Sequence, residues 1–280
     1  MLDSVAHDLR PATDLRRTVS AHLEAVVVEE ADIVLAIAVG AAYERESEEL
    51  SVRLDGLEVL VETVDAAHRG RLHLTKNVAA GTLVVDYHAT VTGVSPQSTA
   101  SNLECLEYLR PSRYCESDRL GPLARAEFAG LGKVDLLAGV SSWVGTNIDY
   151  VPGSSRPIDG AVATLLSREG VCRDFAHLTA ALLRANGVPA RIASAYAPGL
   201  EPMDFHAVTE GCIDGVWNVV DPTLLAPRAS MVRIVTGADA SDIAFMTTVR
   251  GAVDLNSMEV TAVAMPSLPA DDVTAVVQLR

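Results

Sequence analysis

The chain has 280 residues, of which 49% are apolar, and it carries a net charge of −15 at pH 7. This apolar content is typical of a globular protein and excludes an intrinsically disordered chain. The negative charge argues against nucleic acid or an anionic membrane as a partner. The length is sufficient for a large hydrophobic core and for two domains.

The chain begins without a recognisable targeting segment. Met1–Ser4 lacks the basic and apolar stretches of a signal peptide, and the longest apolar run, Ile33–Tyr43, is too short to span a bilayer. We therefore predict a cytoplasmic protein, whose thiols stay reduced. The four cysteines form no Cys-x-x-Cys pair, so we expect neither a disulfide framework nor a metal site. Cys105, Cys115 and Cys212 are interpreted as small apolar side chains.

The first third of the chain is predicted to be rich in β-strands. Short runs of alternating apolar residues, separated by glycines, cover residues 17–29, 33–39, 51–64, 71–74 and 83–92. Several short strands at this spacing indicate a β-sandwich or a barrel-like domain. The polar stretch 95–102, which contains Pro96, is the best domain boundary. We predict an N-terminal β-rich domain at 1–98 and a second domain at 103–280.

The second half changes to helices followed by strands. Apolar residues at helical spacing predict helices over 122–128, 133–147, 160–168 and 172–185. β-Branched runs predict strands at 190–196, 206–213, 216–220, 231–235 and 258–265. This order indicates an α+β fold with a mostly antiparallel sheet.

A predicted hairpin brings a histidine and an aspartate together. Asp214-Gly215, between two apolar stretches, is typical of a two-residue turn of the type I′ kind. In that register Val208 lies opposite Asp221, and His206, two residues earlier on the same face, is the diagonal neighbour of Asp221 at roughly 7–8 Å. The two side chains can close this gap with a hydrogen bond. A bulged three-residue turn would instead move Asp221 to the opposite face.

Cys172 is the candidate nucleophile. It begins a predicted helix just after Gly170, where the helix dipole stabilises a thiolate and unpaired backbone N–H groups can bind an oxyanion. His206 would then act as the base and Asp221 as the group that orients it. The contact between Cys172 and His206 is tertiary and does not follow from spacing.

The same residues carry a family resemblance. The motifs that carry it are Gly170-Val171-Cys172-Arg173-Asp174-Phe175-Ala176, Pro189-Ala190-Arg191, His206-Ala207 and Asp221-Pro222-Thr223. Together they resemble the transglutaminase-like superfamily of papain-type thiol enzymes, and more narrowly its bacterial cysteine-protease-like members. The likeness covers roughly residues 105–265.

The resemblance implies a papain-like core of helices packed on an antiparallel sheet, preceded by a β-sandwich-like domain. It also implies that Cys172 is the nucleophile, His206 the general base and acid, and Asp221 the orienting carboxylate. Val208 and Ala195 stand where many relatives carry Trp and Gly, and both departures lie near the expected path of the acyl donor.

Other residues have competing interpretations. His177 lies five residues after Cys172, which places it about 140° around the helix, so packing is favoured over a role as base. Asp174 in the first helical turn stabilises the helix dipole or organises the site. Trp143 either packs in the core or donates its indole N–H to an oxyanion, and Tyr196 is a candidate for the cleft edge.

The predicted function is thiol-dependent acyl transfer on a peptide or another amide, through a thioester on Cys172. Hydrolysis is favoured over transamidation. A non-catalytic binding module on the same scaffold and an arylamine-type acyltransferase are the alternatives. A metal site built from Cys172, His206 and Cys212 lacks close ligand pairs and is disfavoured, and no cofactor is expected. The oligomeric state stays open.

Overall fold

A computed structural model describes residues 15–66 and 70–280. The N-terminal segment considered above, Met1–Ser4, lies outside these residues. The first part contains the strands β1 (Arg16–Leu35), β2 (Glu44–Leu54), β3 (Leu57–Glu58), β4 (Glu62–Asp65), β5 (Arg71–Val78) and β6 (Gly81–Thr92). The helices are α1 (Asn102–Glu107), α2 (Gly121–Phe128), α3 (Lys133–Asn147), α4 (Ala161–Ser167), α5 (Cys172–Ala185) and α6 (Ala240–Ile243).

The remaining strands lie between or after these helices. They are β7 (Asp149–Tyr150), β8 (Glu169–Gly170), β9 (Ala190–Tyr196), β10 (Phe205–Ile213), β11 (Val216–Val220), β12 (Val232–Gly237) and β13 (Met246–Met265). The helices α2 to α5 and the strands β9 to β11 lie within one residue of their predicted bounds. The α+β fold class is therefore confirmed.

The first part is built around one long strand, β1. Its side chains alternate between buried and exposed along most of its length, which leaves one face of the sheet apolar. Along one edge the first half of β1 pairs with β6 and its last residues pair with β5. Strands β2 and β4 extend the sheet beyond β6 and β5. The run predicted at 17–29 and the first three residues of the run predicted at 33–39 thus belong to a single strand of a curled antiparallel sheet, and residues 36–39 lie beyond its end.

The other edge of β1 pairs with β13 from Arg16, opposite Met265, to Leu35, opposite Met246. Strand β13 therefore takes part in the sheet of the first part although it lies far beyond the predicted boundary at 98–103. The division into two domains stays a prediction.

The second part packs helices on a four-stranded sheet of order β11-β10-β9-β12. Helix α5 is buried along nearly its whole length and packs against β9, β10, α3 and α4. The predicted hairpin is confirmed: Ile213 pairs with Val216 and Thr209 with Val220. Asp214 and Gly215 both have positive φ angles, 49° and 80°, as a type I′ turn requires.

Hydrogen bonds that involve the hydroxyls of two buried tyrosines join the two parts. Tyr196 on β9 donates from its hydroxyl to the carbonyl oxygen of Ile37 at 2.8 Å. In the opposite direction, the hydroxyl of Tyr43 accepts the backbone N–H of Arg233 at 3.0 Å. One continuous apolar core includes residues from both parts. None of the helices within residues 15–66 and 70–280 has the length and apolar content needed to cross a membrane.

A buried ion cluster lies on the second sheet. The Glu210 carboxylate, 0% exposed, accepts a hydrogen bond from Arg191 Nε at 2.7 Å and another from Arg233. Burial favours the neutral carboxyl, yet the charges of the two guanidinium groups hold the pKa of Glu210 below its usual value. The cluster is stable because each buried charge faces an opposite one.

We predict that Glu210→Gln lowers the free energy of unfolding by about 3–5 kcal/mol, because it removes the buried counter-charge of Arg233 and leaves Arg191 only the more distant carboxylate of Glu104, at 3.8 Å. Urea denaturation of both proteins measures the change. Glu24→Gln is the matched control, since its exposed pair with His22 contributes less than about 1 kcal/mol. A Glu210→Gln variant as stable as the Glu24→Gln variant would contradict the prediction.

Candidate active site

Cys172 lies at the first residue of α5 and is partly exposed. The carboxylate of Asp174 accepts the backbone N–H of Val171 at 2.9 Å and so caps the helix. Gly170 leaves room for this arrangement, because a Cβ atom there would lie 2.7 Å from the Cβ of Asp174. Asp174 therefore shapes the turn that presents Cys172, which fits its helix-terminus interpretation.

His206 and Asp221 form a buried hydrogen bond on the hairpin. Nε2 of His206 lies 2.7 Å from Oδ2 of Asp221, and the two residues are 1% and 2% exposed. The other carboxylate oxygen of Asp221 accepts two hydrogen bonds from Thr223, one from the backbone N–H at 3.0 Å and one from the hydroxyl at 2.7 Å. The carboxylate is thus fixed on both sides, and the imidazole orientation follows from it.

The strand that carries His206 is tied to the helix that carries Cys172. The hydroxyl of Thr209 on β10 donates to the carbonyl oxygen of Ala176 on α5 at 2.8 Å, and both residues are buried. Ala176 lies one helical turn after Cys172 on α5, and Thr209 lies three residues after His206 on β10. It fixes the relative position of the thiol and the imidazole.

The electrostatics of the site favour a protonated imidazole. Burial alone would lower the pKa of His206, but the charge and hydrogen bond of Asp221, with a further contribution from Cys172, raise it to about 10. Burial also favours the neutral form of Asp221, yet the contacts with His206 and Thr223 hold the pKa of Asp221 below its usual value. Asp221 occupies Nε2, so the hydrogen bond with Cys172 that helps to raise the pKa of His206 involves the second ring nitrogen, Nδ1.

Cys172 and His206 share the wall of a cavity of about 590 Å³. Most of its other walls are apolar, with Phe205 stacked on Phe245 at a centroid distance of 5.5 Å. Met258 of β13 also lines the cavity, so the first sheet contributes to the same space as the second part. Two charged residues, Arg173 and Asp204, line it as well.

Two of the weaker candidates, Trp143 and Tyr196, make packing contacts. Trp143 donates its indole N–H to Glu127 at 3.1 Å and packs against Phe128, and it does not line the cavity. Tyr196 is buried, and its hydroxyl bonds Ile37 as described above. These positions fit packing roles.

His177 is buried behind the site. Its Nε2 accepts the backbone N–H of Ala240 at 3.1 Å, and its ring stacks on Tyr114. Burial lowers its pKa to about 3, so the ring is neutral. Cys212 lies 4.0 Å from Cys105, sulfur to sulfur, and the described residues hold no group of side chains arranged to bind a metal ion.

The sequence reasoning missed Tyr150. This residue lies on the two-residue strand β7, pairs with Gly170 on β8, and contacts the ring of Phe175 at 5.8 Å. Its hydroxyl interacts with the backbone of Cys172. A strand of two residues leaves no periodic signal in the sequence, so only the fold brings this side chain to the thiol.

Comparison with known proteins places the fold among known structures. Residues 132–222 match the family described as the transglutaminase-like superfamily. These residues form a transglutaminase-like core. A crystal structure from Cytophaga hutchinsonii, titled a "Putative Cysteine Protease", is 28% identical and covers 95% of this chain and 96% of its own, with a TM-score of 0.84.

The curated relatives that match this chain are named as uncharacterized proteins. A protein of Mycobacterium leprae is 32% identical over 129 residues, which are 41% of this chain and 45% of the relative. One of Mycobacterium tuberculosis is 44% identical over 63 residues, which are 22% of this chain and 20% of the relative. The chain thus matches less than half the length of these relatives. The resemblance predicted from the motifs is confirmed, and the comparisons support a thiol-dependent peptidase or acyltransferase kind of function.

We predict that Asp221→Asn lowers the pKa of His206 below the wild-type value. Without the carboxylate charge, burial becomes the dominant influence on the ring, and burial disfavours the imidazolium. NMR titration of ¹⁵N-histidine-labelled protein measures the change. His22 on the first sheet, whose pKa is raised by Asp86, serves as the internal control and should titrate identically in both proteins. Equal His206 titration in wild type and variant would refute the prediction.

Proposed function

We propose that this chain is a cysteine peptidase or amidase that transfers an acyl group through a thioester on Cys172. The observation that carries the proposal is the buried His206–Asp221 hydrogen bond beside a thiol that begins a helix, with thiol and imidazole facing one cavity. A nucleophile, a base and an orienting group in this order constitute the machinery of acyl transfer.

The roles follow from the surroundings of each group. The imidazolium of His206 stabilises the Cys172 thiolate, which attacks the carbonyl carbon of the amide. His206 then donates its proton to the leaving amine, and the acyl group stays on sulfur as a thioester. Water, activated by the neutral imidazole, releases the acid and restores the thiol. Asp221 keeps the ring oriented throughout and stabilises its charged form.

The cavity walls indicate the kind of acyl donor. Phe205 directly precedes His206 on β10, and the ring of Phe245 stacks on the ring of Phe205. The cavity wall beside the reacting carbonyl therefore contains two aromatic rings. A peptide with a large apolar side chain near the scissile amide would bury that side chain there. We therefore propose apolar peptides as the substrates, and hydrolysis as the reaction.

We expect wild-type protein to hydrolyse fluorogenic peptide amides with Leu or Phe before the scissile bond faster than those with Gly or Asp. Cys172→Ala should abolish turnover, and His206→Ala should reduce it by about 10²–10⁴-fold, as expected for loss of a general acid–base. Cys105→Ser, which changes a partly exposed thiol outside the cavity, is the matched control and should retain full activity.

Labelling of the thiol provides a second measurement. Iodoacetamide should alkylate Cys172 in the folded wild type faster than in the urea-unfolded chain, as detected by mass spectrometry, and this excess should disappear in His206→Ala. Turnover by Cys172→Ala would overturn the proposal. Peptide binding without turnover would favour the binding module instead, and acyl transfer from a carrier thioester to an arylamine would favour the arylamine acyltransferase.

A further inference from the structure

An acyl transfer of this kind needs hydrogen-bond donors for the oxyanion of its tetrahedral intermediate. The backbone N–H of Cys172, in the first turn of α5, has no partner within the helix. It interacts with the hydroxyl of Tyr150, and it can supply one donor when an oxyanion takes the place of that contact. The sequence suggests the indole N–H of Trp143 as a side-chain donor to the oxyanion, but this N–H donates to Glu127. A second donor must therefore come from another residue close to Cys172.

The fold places Tyr150 beside the reactive thiol. Tyr150 pairs with Gly170 in the parallel ladder of β7 and β8, and the N–H of Val151 donates to the carbonyl oxygen of Gly170 at 2.9 Å. Gly170 lies two residues before Cys172, so this ladder brings Tyr150 close to the start of α5. The ring also contacts Phe175 in the first turn of α5, at a centroid distance of 5.8 Å.

The hydroxyl of Tyr150 has the chemistry of a donor. It interacts with the backbone of Cys172, and burial, together with the charge of the Cys172 thiolate, raises the pKa of Tyr150 to about 12. The phenol therefore keeps its proton at neutral pH. The residue is 40% exposed, so a substrate can approach it.

We propose that the Tyr150 hydroxyl and the backbone N–H of Cys172 together bind the oxyanion. This inference rests on the proposed acyl transfer at Cys172. Tyr150 donates a hydrogen bond to the carbonyl oxygen as that oxygen gains negative charge, and it keeps its own proton throughout. Its effect is therefore confined to reactions in which a carbonyl carbon becomes tetrahedral.

This restriction makes the test selective. Tyr150→Phe keeps the ring and its contact with Phe175 but removes the donor. We expect kcat for peptide hydrolysis to fall about 10²–10³-fold with little change in KM, as for the loss of one oxyanion donor. Alkylation of Cys172 by iodoacetamide, a displacement at a saturated carbon that forms no oxyanion, should keep its wild-type rate.

Tyr108→Phe is the matched control, because burial also raises the pKa of Tyr108 to about 12, but its ring packs on Trp217 beside Cys212 and not on Phe175 of α5. It should retain wild-type kcat. Full activity of Tyr150→Phe would overturn the role of Tyr150 as an oxyanion donor. An equal loss of hydrolysis and alkylation would overturn it as well, because it would show that the substitution disturbs the thiol. A wild type with neither turnover nor fast alkylation would instead overturn the proposed acyl transfer, and Tyr150 would lose its role with it.

A different observation concerns two thiols outside the cavity. The sulfur atoms of Cys105 on α1 and Cys212 on β10 lie 4.0 Å apart. Cys105 is partly exposed, whereas Cys212 is buried beside Tyr108 and Trp217. A disulfide requires the two sulfurs to approach to about 2.05 Å. An oxidant can reach the pair through Cys105.

We infer that Cys105 and Cys212 form a disulfide when the protein is exposed to a hydroperoxide. The Cys105 thiolate attacks the peroxide and becomes a sulfenic acid, with release of hydroxide in the case of hydrogen peroxide. The Cys212 thiol then attacks the sulfenic sulfur and displaces water, so that two thiols are oxidised and one peroxide is reduced. The product joins α1 to the hairpin strand that also carries His206.

Hydrogen peroxide treatment of Cys172→Ala, which leaves Cys105, Cys115 and Cys212, tests this inference. We expect a mass loss of about 2 Da, a cross-linked peptide containing Cys105 and Cys212, and one remaining thiol that reacts with Ellman's reagent in denaturant. The same treatment of Cys105→Ser in this background should give no cross-link. Three remaining thiols, a bridge to Cys115, or stepwise gains of oxygen mass without a bridge would each overturn it.

Discussion

The buried hydrogen bond between His206 and Asp221 is the interaction on which the candidate site depends. Burying either charge alone costs several kcal/mol, so each group is stable inside the protein only because the other is present. The cost is offset by a short contact of 2.7 Å and by two further hydrogen bonds from Thr223 to the carboxylate. The same arrangement that stabilises the fold locally also holds the imidazole protonated and aligned toward the thiol.

The position of Asp221 relative to His206 depends on local structure, whereas the position of His206 relative to Cys172 depends on a tertiary contact. The type I′ turn at Asp214-Gly215 sets the register of the hairpin, and the register sets which face carries Asp221. The bond from Thr209 to Ala176 then fixes that hairpin against α5. A displacement of about 1 Å between the two elements would weaken the thiol–imidazole contact, on which the proposed acyl transfer depends.

These two kinds of constraint explain what could be predicted from the sequence. The hairpin register, the helix α5 and the position of Cys172 depend on residues close together in the chain, and the predictions for them are confirmed. The pairing of β13 with β1 joins residues more than two hundred positions apart, and β13 is exposed over much of its length, so its pattern gave only a short strand near its end. Tyr150 lies near Cys172 because the two-residue strand β7 pairs with β8, and a strand of two residues is too short to produce a periodic pattern in the sequence. The cytoplasmic location stays a prediction.

The division of labour within the cavity follows from this topology. The thiol, the imidazole and the carboxylate all belong to α5 and the β10–β11 hairpin, whereas Met258 and Thr247 reach the cavity from β13, which is paired with β1 of the first sheet. Substitutions on β13 can therefore change the shape of the cavity without moving the reacting groups. The first sheet thus has a physical route to substrate selection that is independent of the chemistry. For the proposed acyl transfer, a change in the first sheet would therefore alter the preferred acyl donor and leave the thiol and the imidazole in place.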